Sequence, residues 1–434
     1  MSDKKLWEKG ISTDEFIEKF TVGKDRKLDL EFAKYDVQGT IAHIKMLESV
    51  GLLEKGELTK LTTELNRISA EVIEPGYFEI EEGVEDLHSQ IELMLTRALG
   101  DIGKKVHSGR SRNDQVLVDI RLYLRDQITE ISQLTEKLFD TLISQSEKNK
   151  GHLMPGYTHT QVAMPSSFGL WFGAYAESLT DDLVLMESAF KIVNRNPLGS
   201  AAGYGSSFPL NRKMTTELLG FSGMNVNSIY AQMGRGKTEQ ALSFAMAGLA
   251  GTLNKLASDV CLYNSQNFGF INLPDELTTG SSIMPHKKNP DVFELLRAKS
   301  NALKSLPNQV MMATTNLTSG YHRDFQILKE ILFPAIKELK NCLFITAYAA
   351  EKIEVNKEIL NDPKYKLIFS VEAVNKLVLE GIPFREAYQK VAKNIADGTF
   401  ISPEKINHTH EGSIGNLGNV EISERFKNMM KAFR

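Results

Sequence analysis

The sequence predicts an all-α protein built on a few very long helices. Three observations point there. Apolar residues recur at helical spacing nearly throughout, and no convincing run shows the strict alternation of a half-buried strand. With 434 residues, the chain is also too long for one simple core. Leu30, Ala33, Val37, Ile41, Ile44 and Leu47 make a first stripe, with Gly51 as its C-terminal stop. Val116, Ile120, Leu124, Ile128, Ile131, Leu134, Leu138 and Leu142 make a second, on a helix expected from Asp114 to about Lys150. Such a helix is more than about 50 Å long. Pro165 is read as opening a third helix, with Phe168, Trp171, Phe172, Tyr175, Leu179, Leu183, Met186 and Phe190 on its apolar face. A fourth is expected over about 239–267, and a fifth after Pro290, with a kink or break at Pro307. Helices this long belong to bundles. Their stripes are too broad for one bundle to bury, so oligomerisation is expected.

Composition narrows the function. The formal net charge of −4 lacks the basic footprint of a nucleic-acid binder. Cys261 and Cys342 have no metal or redox spacing, the pattern of reduced cytosolic thiols. The Met1–Trp7 stretch lacks the apolar core of a signal peptide, and no apolar run reaches membrane-spanning length. A soluble, cytoplasmic protein with neither nucleic-acid nor membrane partners is expected.

The chemistry concentrates in Gly280-Ser281-Ser282-Ile283-Met284-Pro285-His286-Lys287-Lys288-Asn289-Pro290. Gly280 can take backbone angles closed to other residues, and Pro290 stands where a helix can begin. Hydroxyls, an amide and fixed positive charge on a mobile loop suit closure over an anionic substrate. Two adjacent lysines alone would read as an exposed basic loop; the whole string does not. Two further stretches carry dense donors. Ser111, Arg112 and Asn113 stand at the start of a long helix, where exposed amides favour anions. Asn113 there is equally a plain N-cap. Thr158 and His159 follow Met154-Pro155-Gly156-Tyr157. A lone histidine is most often structural, but the side chain's ordinary chemistry also suits a proton-transfer role near neutral pH.

These three stretches, in this order, resemble the fumarase/aspartase superfamily. Lys104–Gln115 resembles its argininosuccinate lyase branch, and the likeness runs from about Trp7 to the neighbourhood of Arg385. The resemblance implies a three-domain chain, with boundaries placed at 1–108, 109–360 and 361–434. It implies a homotetramer whose middle domains form a central helix bundle, with active sites shared between subunits. It implies elimination of fumarate from argininosuccinate to leave L-arginine, the last step of arginine biosynthesis, with no cofactor and no metal. Ser281 and His159 are then the acid/base pair, with the order of action open. Ser282 is the turn-residue alternative to Ser281. Lys287 and Asn289 stabilise charge on the substrate carboxylate, and Glu294 orients the histidine. Ser111, Arg112, Asn113, Thr158, Asn289, Tyr321, Gln326 and Lys329 bind substrate, the last three at its arginine-like end. Asp86 and His88 match a further family stretch near the site.

Three positions depart from the family pattern. Met233-Gly234-Arg235-Gly236 keeps the arginine of a Ser-Asp-Arg-Asp run but replaces both aspartates with glycine. Asp25 stands where the family has a substrate-binding serine. His286 replaces a glutamine and occurs in the adenylosuccinate lyase branch. That branch, and a non-catalytic crystallin-like protein on the same fold, are the rival readings. The run Ala231–Thr238 imitates a phosphate loop, but the polar Asn225–Tyr230 stretch before it is no buried strand. His408 and His410 make a weak metal pair.

Overall fold

The computed structural model describes residues 15–403 and 406–434; Met1–Trp7, and with it the start of the family likeness, lie outside them. The class is all-α as expected. Its spine is a 37-residue helix, Arg112–Lys148. Ser111 caps it: its hydroxyl accepts from Asn113 N, while Ser111 N donates to the Asp114 carboxylate at 2.8 Å. This reciprocal cap satisfies first-turn donors and starts the helix two residues before the apolar stripe suggests. Asn113 is therefore inside the helix, not its cap. Phe168–Val193 and Ile327–Glu351 pack beside the spine, and Lys237–Tyr263 packs against both of them. Ile128, Leu179, Leu253 and Leu339 are fully buried between them. The break near Pro307 is present. Asp291–Lys304 ends there, and Leu306–Ala313 begins with Pro307 in its first turn, where no amide donor is needed.

Two expectations are corrected. Pro165 does not open a helix. It lies in a strand, Gln161–Ser167, paired antiparallel with Leu153–Thr158, and Pro155 stands opposite Pro165. Neither proline has a donor to lose, and a two-stranded ribbon has free edges that tolerate them. The helix begins only at Phe168, capped by Ser167. Leu30 does not join the first stripe; it sits in a short 3-10 turn before helix Ala33–Ser49 and is 42% exposed. A second small ribbon pairs Ile271–Asn272 with Glu354–Val355.

One continuous core runs from Phe32 to Phe433. Two clusters stand apart from it. Val310, Phe325 and Leu328 pack under the segment that carries Tyr321. Val374, Ala387, Val391 and Phe400 form a small core around helices Ser370–Leu379 and Phe384–Ala396. Among the described residues, no helix is long and apolar enough to cross a membrane.

Candidate active site

The expected site residues fall into three groups. The first lines a cavity of about 330 Å³ and includes Arg112, Asn113, Tyr321, Gln326 and Lys329, with Asp25, Asp29, His88 and Arg235. The spine helix delivers Arg112 and Asn113 from its first turn. Ser111 supports that turn as its cap. The Arg112 guanidinium is already held: it donates to Glu85 at 2.6 Å and to the Ser89 hydroxyl at 2.6 Å, and lies 3.3 Å from Asp86. Asp86 in turn caps helix Leu87–Leu99 through Ser89 N. Gln326 donates to the backbone carbonyls of Thr21 at 2.9 Å and Val22 at 3.1 Å, so it ties the N-terminal segment to the cavity wall.

Lys329 is buried and sits between two carboxylates, 2.6 Å from Asp29 and 2.8 Å from Asp25. Its charge is already paired within the chain. Burial pushes Asp25 up to about 6, against the opposing charge of Lys329 and with the added push of Asp29. Arg235 is 4% exposed; its Nη2 donates to the Phe325 carbonyl at 3.1 Å, and its guanidinium lies 5.6 Å from the Tyr321 ring centre. Gly236 has φ +81, and a Cβ there would stand 2.8 Å from Thr314. The glycine after Arg235 therefore fits a left-handed, crowded turn that an aspartate would strain.

Behind the cavity lies a buried cluster whose residues were too dispersed in sequence to suggest it. His88 Nδ1 bonds Asp36 and lies 3.5 Å from Asp119. Burial lowers the His88 pKa, but the Asp36 charge, aided by Asp86 and Asp119, outweighs it and raises the ring to about 9. Asp119 is held well above the carboxylate range by burial and by Asp36. These three are close enough together to hold a metal ion. The proton on His88 already meets the Asp36 charge.

The second group is at the tip of the 153–167 ribbon. Thr158 is followed by His159 and Thr160, with φ of 51° and 60°. Two left-handed residues match the twist of a tight hairpin. Thr158 and His159 are exposed there, on a hairpin and not ahead of a helix.

The third group is the 280–290 loop. Thr279 and Asn289 exchange backbone hydrogen bonds of 3.1 and 2.8 Å, which closes the loop at its neck. Gly280 does not use a positive φ; the neck bridge, not the glycine, shapes the bend. Ser281 Oγ accepts from Met284 N at 3.1 Å and Ile283 N at 3.4 Å. Ser282 and Lys287 are exposed, and Lys288 pairs with Asp275. Asn289 donates weakly to Thr279 at 3.5 Å. Glu294 is exposed in the first turn of Asp291–Lys304. Among the described residues, no hydrogen bond or ion pair within one protomer joins the three groups.

The phosphate-loop imitation is not one. The residues before it form a short helix, Ser228–Met233, capped by Asn227. His408 bonds Glu372 at 3.0 Å, an ordinary structural use.

The fold is shared with solved fumarate-lyase-type enzymes. An EDDS lyase structure in complex with formate superposes with a TM-score of 0.75 at 23% identity, covering 98% of this chain and 90% of the other. A fumarate lyase:delta crystallin structure from Brucella melitensis gives 0.70 at 17% identity, covering 95% and 94%. At these identities the likeness concerns the fold. A family model described as "Lyase" matches residues 8–303. Curated argininosuccinate lyases are much more similar. That of Bacteroides fragilis is 63% identical over 429 residues, 99% of this chain and 96% of the relative. That of Thermotoga neapolitana is 42% identical over 389 residues, 90% of this chain and 98% of the relative. The chain belongs to this lyase family, on its argininosuccinate lyase branch.

Proposed function

We propose that the protein eliminates fumarate reversibly from argininosuccinate, releasing L-arginine, and so serves the last step of arginine biosynthesis in the cytoplasm. The observation that carries this reading is the 63% identity to a curated argininosuccinate lyase along nearly the whole chain. The proton to be removed lies on the carbon beside a carboxylate. Its electron pair spreads into that carboxylate, and Lys287 and Asn289 offset the charge. The carbon–nitrogen bond then breaks; a general acid protonates the leaving guanidine nitrogen. Ser281 and His159 share these proton transfers, and Glu294 orients the histidine. Two backbone amides point at Ser281 Oγ. That environment favours an oxyanion on Ser281, which supports Ser281 as the base and His159 as the acid. Arg112, Asn113 and Thr158 bind the succinyl end.

Among the described residues no hydrogen bond or ion pair joins the three groups, which supports sites shared between subunits. We therefore place the active sites between protomers of a homotetramer, with the 109–360 portion supplying the bundle. Exposed apolar side chains on the long helices support this: Val184, Leu185, Phe244 and Phe344 would gain partners in such a bundle. The test is fumarate release from argininosuccinate and from adenylosuccinate. Release from the first in clear preference is expected; preference for the second would assign the adenylosuccinate branch. Release from neither by folded protein would favour a crystallin-like role.

A further inference from the structure

The spine helix begins beside a buried carboxylate that does more than cap it. Asp114 is fully buried. One of its oxygens accepts from Ser111 N at 2.8 Å, and the other accepts from both Gly199 N and Ala201 N at 2.9 Å. A helix cap needs only the first of these bonds. The other two join the helix start to a loop 85 positions away along the chain.

That loop is held from its other side as well. Arg212 Nε donates to the Leu198 carbonyl at 3.0 Å, the Asn196 side chain accepts from Leu198 N at 2.9 Å, and Gln232 Nε2 donates to the Ala201 carbonyl at 3.1 Å. A Cβ at Gly199 would stand 2.8 Å from Arg212, and one at Gly203 would stand 2.7 Å from Gln232. Ala201 has φ of 50°, a left-handed conformation that a residue with a Cβ keeps only where its surroundings fix it. The loop is therefore a firm support. The first turn of the spine has fewer holds. Ser111 N relies on Asp114, and Asn113 N has a longer bond of 3.3 Å to the Ser111 hydroxyl. This turn carries Arg112 and Asn113 into the cavity.

We infer that Asp114 is a positioning residue, which fixes Arg112 and Asn113 against the 199–201 loop and so sets where the succinyl end of the substrate is received. The inference rests on the argininosuccinate reading. Without the Asp114 carboxylate, the loop keeps Arg212, Asn196 and Gln232, but the turn loses its anchor. The damage falls on the succinyl end.

The reverse reaction separates the two ends, because fumarate and arginine are supplied as separate molecules. Burial raises Asp114 to about 6, against the pull of the three amides, so at about pH 8 the wild-type carboxylate is ionised. Asp114→Asn keeps the size but sets an NH2 group against N–H donors. At about pH 8, its KM for fumarate should rise at least about tenfold, the scale expected when a binding group is misplaced, while KM for arginine should stay within about threefold. General loosening of the fold would raise both alike. If Asp114→Asn does not fold, Asp114→Glu keeps the charge on an arm longer by one methylene, and the same split should appear in smaller form. Equal changes in both constants, a larger change for arginine, or no change in a folded variant would overturn the inference and leave the argininosuccinate reading intact. A wild type that does not join fumarate to arginine would overturn that reading itself.

Discussion

Ser281 differs from its neighbour in what surrounds it. Its oxygen is turned toward the Met284 and Ile283 amides, whereas Ser282 is exposed. Ser281→Ala should fold normally and lose at least about a hundredfold in turnover, as expected on removing a proton-transfer group. Ser282→Ala should stay within a few-fold of wild type, by rough expectation for a solvent-facing residue. Near-normal turnover in folded Ser281→Ala would remove it from the chemistry. Other single residues set the response to pH. His43 Nε2 donates to the Ser108 carbonyl, 2.9 Å away, and burial lowers its pKa to about 3. The unfolded chain binds that proton near 6.5, so between these values the unfolded state holds more protons, and stability falls as pH drops. His88 works at the other end. Its folded value of about 9 is above the unfolded one, so its contribution is complete below about 6.5 and fades as pH rises through 9. Denaturant midpoints from pH 4 to 10 should thus decline on both limbs. His43→Gln should flatten the acid limb, and an unchanged slope would exclude His43 as its source.

At the scale of elements, the long helices were readable because broad apolar stripes repeat faithfully over many turns. Their ends were less so. The spine starts at Arg112 because of a side-chain cap at Ser111, a polar event outside the stripe. The ribbon is not legible locally because Pro165, read singly, looks like the start of a helix. Pro155 and Pro165 become strand residues only by facing each other. The same limit applies to the cavity: Lys329 and Asp29 are 300 positions apart, and nothing local marks them as partners. Tyr321, Gln326 and Lys329 were readable by family likeness, but their surroundings were not. Helix packing also makes one sharp demand. A Cβ at Gly103 would fall 2.5 Å from the Leu95 backbone, far inside contact distance. Gly103→Ala must push apart helix Leu87–Leu99 and the turn after it, and should cost about 1–3 kcal/mol, read as a lowered melting temperature. An unchanged melting temperature would show that this junction yields easily.

For the whole molecule, the proposed tetramer with shared sites would make activity a property of the assembly. His159→Asn and Lys287→Met subunits should each be inactive alone. Co-refolded, they should regain partial activity, because some sites in a mixed tetramer would take the hairpin from one parent and the loop from the other without either defect. Confirmed subunit exchange with no recovered activity would contradict shared sites. The likeness of motifs already implied this arrangement. The structure supports it physically by leaving Thr158, His159, Lys287 and Glu294 exposed.

The small cluster of Val374, Ala387, Val391 and Phe400 has a consequence of a different kind. It is separate from the core that holds the spine, and Leu379, Phe384 and Tyr388 beside it are largely exposed. A unit with so few shared contacts can open without disturbing the rest. Amide protons of Ser370–Leu379 and Phe384–Ala396 should therefore exchange with deuterium well before those of Arg112–Lys148, and a protease should nick this region first. Wear then begins at an internal segment and not at a chain end, because Phe426 and Phe433 beyond it stay anchored in the core that holds the spine.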